Sequence, residues 1–401
     1  MTATLRIVPP AYQQSASGVA PAIAWFAGDR EALQVATSAI GLGIDLLDDG
    51  RSRIVASHHH QLRALLPPLR DLAPGLAGRL ERYLNPVTAW RLRGQSVAID
   101  RPLIMGILNL TDDSFSGDGV GTSIDAALAR AETLRSAGAD IIDAGAESAR
   151  ADRPVLAAEA EAELAGHAVA ALVREGHLVS TDTYKPLVAE AALAAGAALV
   201  NDISGLTIGA GAAEAAARAG AGYVLNYSYS PPKRRPDAPP RYADVVEETV
   251  TWMEARLGEL ENLGLPREAI AIDPGIAFGK SHDEDIQVLR RGGELQTFGQ
   301  PMLLAHSRKN FIGSITGQPP AERDLETHMA SALAYAQGFR IFRVHDPAGA
   351  RRALDLAAAI VSGRPGDFGP DSTSWPWRAG ASATHMTRQA PDKAAPRGQR
   401  W

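Results

Sequence analysis

Between residues 101 and 362 one pattern recurs: a short apolar run stops at a polar residue, and a segment with helical spacing follows. The apolar runs fall at 103–110, 140–146, 178–183, 199–204, 222–228, 270–276, 301–306 and 341–346. The first, LIMGILNL, opens into a polar stretch too rich in breakers to be a helix, so it reads as a buried parallel strand. Segments rich in Ala, Leu and Glu at 124–137, 155–174, 186–195, 212–219, 242–263, 283–291, 321–338 and 347–362 carry the helical period. Pro186 and Pro347 stand at helix starts, where a missing N–H is harmless. Eight strands alternating with eight helices predict an α/β chain whose body is a (β/α)₈ TIM barrel. A doubly wound sheet would not need eight strands, and no GxGxxG opens the first helix.

The flanks have another texture. Residues 1–100 are expected to form a small N-terminal accessory region with strands near 23–28, 44–50 and 52–57. A helix over 62–84 is expected to break at Pro67-Pro68. His58-His59-His60 reads as a solvated loop, because adjacent histidines cannot converge on one metal ion. Residues 363–401 lack periodicity and are expected to be a disordered tail despite Trp375, Trp377 and Trp401.

Composition removes whole classes of function. A net charge of −6 argues against a nucleic-acid or anionic-membrane partner. The absence of cysteine excludes disulfides and thiolate chemistry and fits a cytoplasmic protein. The first residues carry no apolar signal core, and no uncharged stretch is long enough to span a bilayer. Small-molecule chemistry remains.

In a barrel of this kind the active site forms at the carboxyl ends of the strands. Here those ends carry Asn109, Glu147, Asp182, Asn201, Asn226, Asp273, Ser307 with Lys309, and Arg343 with His345. Eight polar endings on one face are costly unless a ligand partners them. Asp182, Asn201 and Asp273 suit a flat heterocycle with several N–H donors and a carbonyl. Lys309, Arg343 and His345 collect positive charge suited to phosphate or pyrophosphate. Asn109 offers an oxygen of the kind Mg²⁺ accepts when phosphate oxygens fill its remaining sites. A heterocycle carrying a diphosphate satisfies both halves. Asp143, inside its strand, faces either that ligand or a core hydrogen bond.

The same segments carry a resemblance. LIMGILNLTDDSFSGDG (103–119), DIIDAGAESAR (140–150), STDTYKP (180–186), NDISG (201–205), IDPGIAFGK (272–280), SRKNFIG (307–313) and RVHD (343–346) resemble, in order, the signature blocks of the dihydropteroate synthase family. The resemblance implies a transferase that condenses 6-hydroxymethyl-7,8-dihydropterin diphosphate with 4-aminobenzoate, giving 7,8-dihydropteroate and pyrophosphate. By the same resemblance Asp182, Asn201, Asp273 and Lys309 hold the pterin, and Asn109 holds Mg²⁺ against the diphosphate. Arg343 and His345 grip that anion, Ser307 and Phe115 help shape the aminobenzoate pocket, Arg150 helps bind substrate, and the Ala-rich exterior helices suit a homodimer.

The chain departs from the family pattern in its loops. Asp112 stands where a proline is usual, and Gly117-Asp118 inverts the usual pair. Ala149 and Ala151 replace a threonine and a proline of the second loop, and Asn226-Tyr227 replaces a Met-His pair. The seventh strand ends in Ala305-His306 rather than in small residues. Two alternatives therefore stand beside the synthase: a pterin-binding paralogue using another amine or none, and a corrinoid-linked pterin methyltransferase domain. Ser307-Arg308-Lys309 and Arg343-x-His345 argue against the latter, because methyl transfer needs no diphosphate grip. Lys233-Arg234-Arg235, His282 and His328 are expected in solvated positions.

Overall fold

The computed structural model describes residues 4–8, 22–27, 30–46, 51–56, 59–111, 119, 121–147, 155–234 and 240–362. Phe115 and Arg150, the departures at Asp112, Gly117, Asp118, Ala149 and Ala151, His58, Arg235 and the segment 363–401 all lie outside these residues.

The chain opens with β1 (Thr4–Val8), β2 (Ala22–Ala27), α1 (Arg30–Ala39), β3 (Ile44–Leu46) and β4 (Arg51–Ala56). The strands form an antiparallel sheet in the order β1-β2-β4-β3. Three helices follow, α2 (His59–Ala64), α3 (Leu66–Leu72) and α4 (Pro74–Leu84). His59 and His60 thus begin a helix, correcting the expected loop, and the predicted break falls just ahead of Pro67, which sits in the first turn of α3. Leu33, Leu62, Leu65, Leu69, Leu76 and Leu80 give this region its own core. Arg267 ties it to the barrel by donating to the carbonyls of Arg82 and Asn85 (both 3.1 Å).

A hairpin, β5 (Ala89–Leu92) and β6 (Gln95–Ala98), turns at Gly94, whose φ of +74° suits glycine. Trp90 is fully buried, and its indole N–H donates to the Ala269 carbonyl (3.0 Å). With Leu92 it packs on Leu103, Ile141, Leu199, Val224, Ala271, Leu303 and Ile341. The hairpin therefore plugs the amino-terminal mouth of the barrel.

The barrel strands are β7 (Leu103–Asn109), β8 (Ile141–Gly145), β9 (Val179–Asp182), β10 (Leu199–Asp202), β11 (Gly222–Asn226), β12 (Ile270–Asp273), β13 (Leu303–Leu304) and β14 (Ile341–Val344). They pair in the order β12-β11-β10-β9-β8-β7-β14-β13, and a parallel bridge between Ile272 and Met302 joins the two ends of the sheet. The helices outside are α5 (Ile124–Ser136), α6 (Ala158–Arg174), α7 (Pro186–Ala194), α8 (Gly211–Ala219), α9 (Val245–Asn262), α10 (His282–Arg290), α11 (Asn310–Thr316), α12 (Asp324–Ala336) and α13 (Pro347–Ser362). Local chemistry sets several starts: Asp244 accepts from Val246 and Glu247 at α9, and Ser281 with Glu284 forms a capping box at α10. The predicted (β/α)₈ barrel is the observed fold. The seventh strand is shorter than the expected 301–306, because Pro301 has no N–H for the ladder and the chain leaves the sheet after Leu304.

Register then explains the site. Side chains alternate across a strand, and register-matched residues of parallel neighbours share a face. Ile341 pairs with Leu103, Arg343 with Met105, and Met105 with Ile141. Asp182 pairs with Asn201, Asn201 with Val224, Val224 with Ala271, and Asn226 with Asp273. Leu103, Met105, Ile141, Leu199, Val224, Ala271, Leu303 and Ile341 fill the lower interior beside the hairpin. Two residues further up the same strands, on the same inward face, stand Asp143, Asn201, Asn226, Asp273 and Arg343. The interior is apolar at its floor and polar at its carboxyl mouth.

Candidate active site

The polar layer is built around Arg343. Its Nε donates to Asp143 Oδ2 and its Nη2 to Asp182 Oδ2, both at 2.5 Å. Asp143 also accepts from the Asn201 amide (3.1 Å). Asp143 is fully buried, and its Oδ1 has no hydrogen-bond partner among the described residues. Burial pulls the guanidinium down, but the two carboxylates outweigh that and hold its pKa above the usual value. Burial pushes Asp182 up to about 7 against the pull of Arg343, with Asp143 adding repulsion. Gly145 matters to this arrangement, because a Cβ there would stand 3.3 Å from the Cβ of Asp182.

Asp273 ends β12 and accepts the Gly275 N–H at 2.8 Å. Gly275 has φ +66°, and a side chain there would strike the Tyr227 carbonyl, so the turn that shapes Asp273 requires glycine. Burial raises the Asp273 pKa, opposed first by Lys309. Lys309 donates to the Ile276 carbonyl (2.6 Å) and lies over the Phe278 ring at 4.8 Å. Burial draws Lys309 down to about 8, with Asp273 resisting. Asn226 spends its amide N–H groups on the carbonyls of Ile203 (3.1 Å) and Tyr227 (2.8 Å). Ser307 Oγ lies 2.8 Å from His345 Nδ1 and accepts the His345 backbone N–H at 3.2 Å.

Sequence reasoning missed Lys280. This half-buried lysine donates to the carbonyls of Pro274 (2.9 Å) and Gly275 (3.1 Å) and lies 3.6 Å over the Tyr227 ring. Burial lowers it to about 7. The signal was a lysine closing an otherwise apolar block, IDPGIAFGK. Glu147, beyond the end of β8, accepts from Tyr184 (2.6 Å) and Lys185 (2.7 Å) and pairs with Lys233 (3.2 Å).

Two expectations are corrected outright. Lys233 is not solvated, since its side chain is 5% exposed in that ion pair. His328 is not a surface residue; it is buried beside Asp346, with Nε2 at 3.4 Å from the carboxylate. His282 is exposed, as expected. His306, the unusual end of the seventh strand, is buried, with Nε2 3.0 Å from both the Thr327 carbonyl and the Ser331 hydroxyl. Asn109 ends β7 half-buried at the same mouth.

The described residues contain no cluster of three or more His, Cys, Asp or Glu side chains able to hold a metal ion. No helix among the described residues is long and apolar enough to cross a membrane.

Residues 105–345 match a family model described as pterin binding enzyme. The chain is 34% identical over 273 residues to the dihydropteroate synthase of Escherichia coli K12, covering 68% of this chain and 96% of that one. A crystal structure of the Yersinia pestis dihydropteroate synthase with a sulfonamide drug complex superposes with a TM-score of 0.65 at 33% identity, covering 69% of this chain and all of that one. The Thermus thermophilus enzyme in complex with 4-aminobenzoate gives 0.60 at 35% identity over 68% of this chain and 99% of that one. The barrel, its polar mouth and these similarities agree, and the chain belongs to the dihydropteroate synthase family of pterin-binding transferases.

Proposed function

We propose that the mouth residues of this chain divide the synthase reaction into pterin anchoring, diphosphate release and amine capture. The observation that carries this is the inward polar layer: acceptors at Asp143, Asp182, Asn201 and Asp273 face cations at Lys309 and Arg343. A pterin supplies the N–H donors those acceptors need, including one for Asp143 Oδ1. Lys309 serves the ring carbonyl. Ser307, Phe115 and Arg150 serve the 4-aminobenzoate, a molecule bound by the Thermus thermophilus relative.

In the reaction the bond between the pterin methylene and the diphosphate oxygen breaks, and its electron pair leaves with pyrophosphate. The arylamine lone pair then bonds to the methylene, and the nitrogen loses a proton to solvent. Arg343 has an Nη1 edge that neither carboxylate uses, and it meets the departing anion there. A Ser307 hydroxyl that accepts the backbone N–H and donates to Nδ1 leaves the His345 ring proton on Nε2, as a donor to the same anion. Such fixed donors aimed at developing charge supply most of the rate. Asn109 would hold Mg²⁺, which would supply positive charge to the leaving group. The amine is already nucleophilic, which fits a site without an activated serine or cysteine.

The chemistry is confined to residues 101–362, with 1–100 as an accessory region carrying its own core. Leu325, Met329, Leu333, Leu356 and Ile360 form an exposed apolar stripe across α12 and α13, which suits a homodimer. Our reading puts the enzyme in the cytoplasm, a compartment that a chain without cysteine suits. The test is pyrophosphate release by the purified protein with dihydropterin diphosphate and Mg²⁺, with and without 4-aminobenzoate. Release that depends on 4-aminobenzoate is expected. Binding of the pterin diphosphate without such release would overturn the assignment of the amine.

A further inference from the structure

The strap that follows β12 is held by side chains at four consecutive positions. Lys280 donates to the carbonyls of Pro274 (2.9 Å) and Gly275 (3.1 Å), and Lys309 donates to that of Ile276 (2.6 Å). Asp285 of α10 accepts the Ala277 N–H (2.8 Å). Ala277 has φ +67°, a left-handed conformation that a residue with a Cβ resists, so the turn depends on these outside holds. Two ammonium groups thus meet one short strap, and they share the fields of two buried carboxylates, Asp273 and Asp285. The reaction gives Lys309 the pterin carbonyl and gives Lys280 no task. Lys280 is nevertheless seated with care, 3.6 Å over the Tyr227 ring. Tyr227 meets Trp252 edge-on at 5.0 Å, and its hydroxyl donates to Tyr242 (3.0 Å), which donates to the Gly279 carbonyl (2.9 Å). Tyr227 belongs to the Asn226-Tyr227 pair that departs from the family pattern.

We propose that Lys280 is a positioning residue for the pterin: seated on Tyr227, it closes the 274–277 strap and acts on the substrate through Asp273. The inference rests on the proposed function, in which Asp273 and Lys309 hold the pterin. Gly275 is the link, because it gives its carbonyl to Lys280 and its N–H to Asp273 (2.8 Å). Charge works across the same link. Burial raises the Asp273 carboxyl, opposed by Lys309, by the Gly275 N–H and by Lys280, so losing the Lys280 charge lets it rise further. Burial lowers Lys280 itself to about 7, against the pull of Asp285, Asp273 and Glu284, and Lys309 adds to the fall. The ammonium is therefore charged below that pH, where carboxylates take up their protons.

The experiment compares Lys280→Met, Lys280→Gln, Lys280→Arg and Tyr227→Leu in full-length protein, with binding of the pterin diphosphate followed by calorimetry from about pH 4.5 to 8. At about pH 6.5 Lys280→Met should weaken binding about tenfold, and the acid limb of its profile should move up by about half a pH unit. A strap that is only loosened would lose affinity equally at every pH. Lys280→Gln keeps donors for the carbonyls but no charge, so it should show the same shift of the acid limb, also if the methionine variant does not fold. Lys280→Arg should return the limb to its place, and Tyr227→Leu should weaken binding about threefold. In ligand-free protein the ¹³C titration of the Asp273 carboxyl, assigned with Asp273→Asn, should rise in Lys280→Gln by the same half unit. Retained affinity in Lys280→Met or Tyr227→Leu, an acid limb that stays in place, or an unchanged Asp273 titration would each overturn the proposal. Should the parent protein not bind the pterin diphosphate, the functional reading falls, and the Asp273 titration still decides whether Lys280 acts through Asp273.

Discussion

Replacing Arg343 with methionine tests the electrostatic centre of the site. Sequence reasoning gave this residue a grip on diphosphate, from which one expects loss of affinity only for ligands that carry it. The structure adds a second duty. Arg343 neutralises Asp143, which is fully buried, and Asp182, whose side chain is 17% exposed, through two hydrogen bonds of 2.5 Å. Methionine fills much of the space of the arginine stem but leaves both carboxylates without a cation. Breaking a buried pair in this way costs about 3–5 kcal/mol, because the partner's desolvation is no longer offset.

The sign of the pH dependence follows. Asp182 already lies near 7 in the fold, above its ordinary value, so the folded state binds more protons than the unfolded chain between about 4 and 7. Removing Arg343 takes away the attraction that opposes this rise and shifts it further upward. Arg343→Met should therefore lose more stability at pH 8 than at pH 5. Adding Asp143→Asn should return about 2 kcal/mol, since it removes one stranded charge. Urea unfolding of the two single variants and the double variant at both pH values gives the cycle. Calorimetry with a pterin that lacks diphosphate gives the binding arm, where affinity should also fall. Full stability together with a loss restricted to the diphosphate-bearing ligand would refute this account and leave Arg343 as a grip alone.

Asp273→Asn replaces one acceptor oxygen with a donor and should weaken pterin binding about 10- to 100-fold, and unchanged affinity in calorimetry would defeat the pocket assignment. Lys309 lies near 8, so its charge is present below that pH and lost above it; pterin affinity should decline above about pH 8, whereas Lys309→Arg should bind with a flat profile through that range. His306 is held near 4, below its ordinary value, so as pH falls from 6.5 to 4 the unfolded chain takes up a proton that the fold refuses, and stability drops. His306→Gln should flatten that acid limb in a denaturation series. Asn109→Ala should raise the Mg²⁺ concentration needed for half-maximal pyrophosphate release and leave pterin binding in place, and an equal Mg²⁺ requirement would remove Asn109 from the ion's ligands.

What could be read from the sequence was whatever depends on period and position. Each apolar run bounded by polar residues has one comfortable place in a barrel, and register parity carries its terminal side chain to the mouth. Asp182, Asn201, Asp273 and Arg343 were therefore legible one strand at a time. The pairing of those side chains was not. Arg343 and Asp143 are 200 positions apart, and only closure of the sheet between β14, β7 and β8 brings them together. The same holds for Trp90, which looked like part of the accessory region until its indole proved to be bonded to Ala269 beneath the barrel.

Charges in loops were the hardest to place, for a physical reason. A basic triplet among prolines reads as solvated because an isolated buried ammonium is costly, and that inference fails when a distant buried carboxylate waits for it. Lys233 had such a partner in Glu147. That partner does not lie at a helical or strand spacing from its mate, so no periodicity could announce it. In this fold strand register sets the inward polar layer, which Arg343 and Asn201 then join across strands, whereas the mouth loops depend on cross-loop ion pairs.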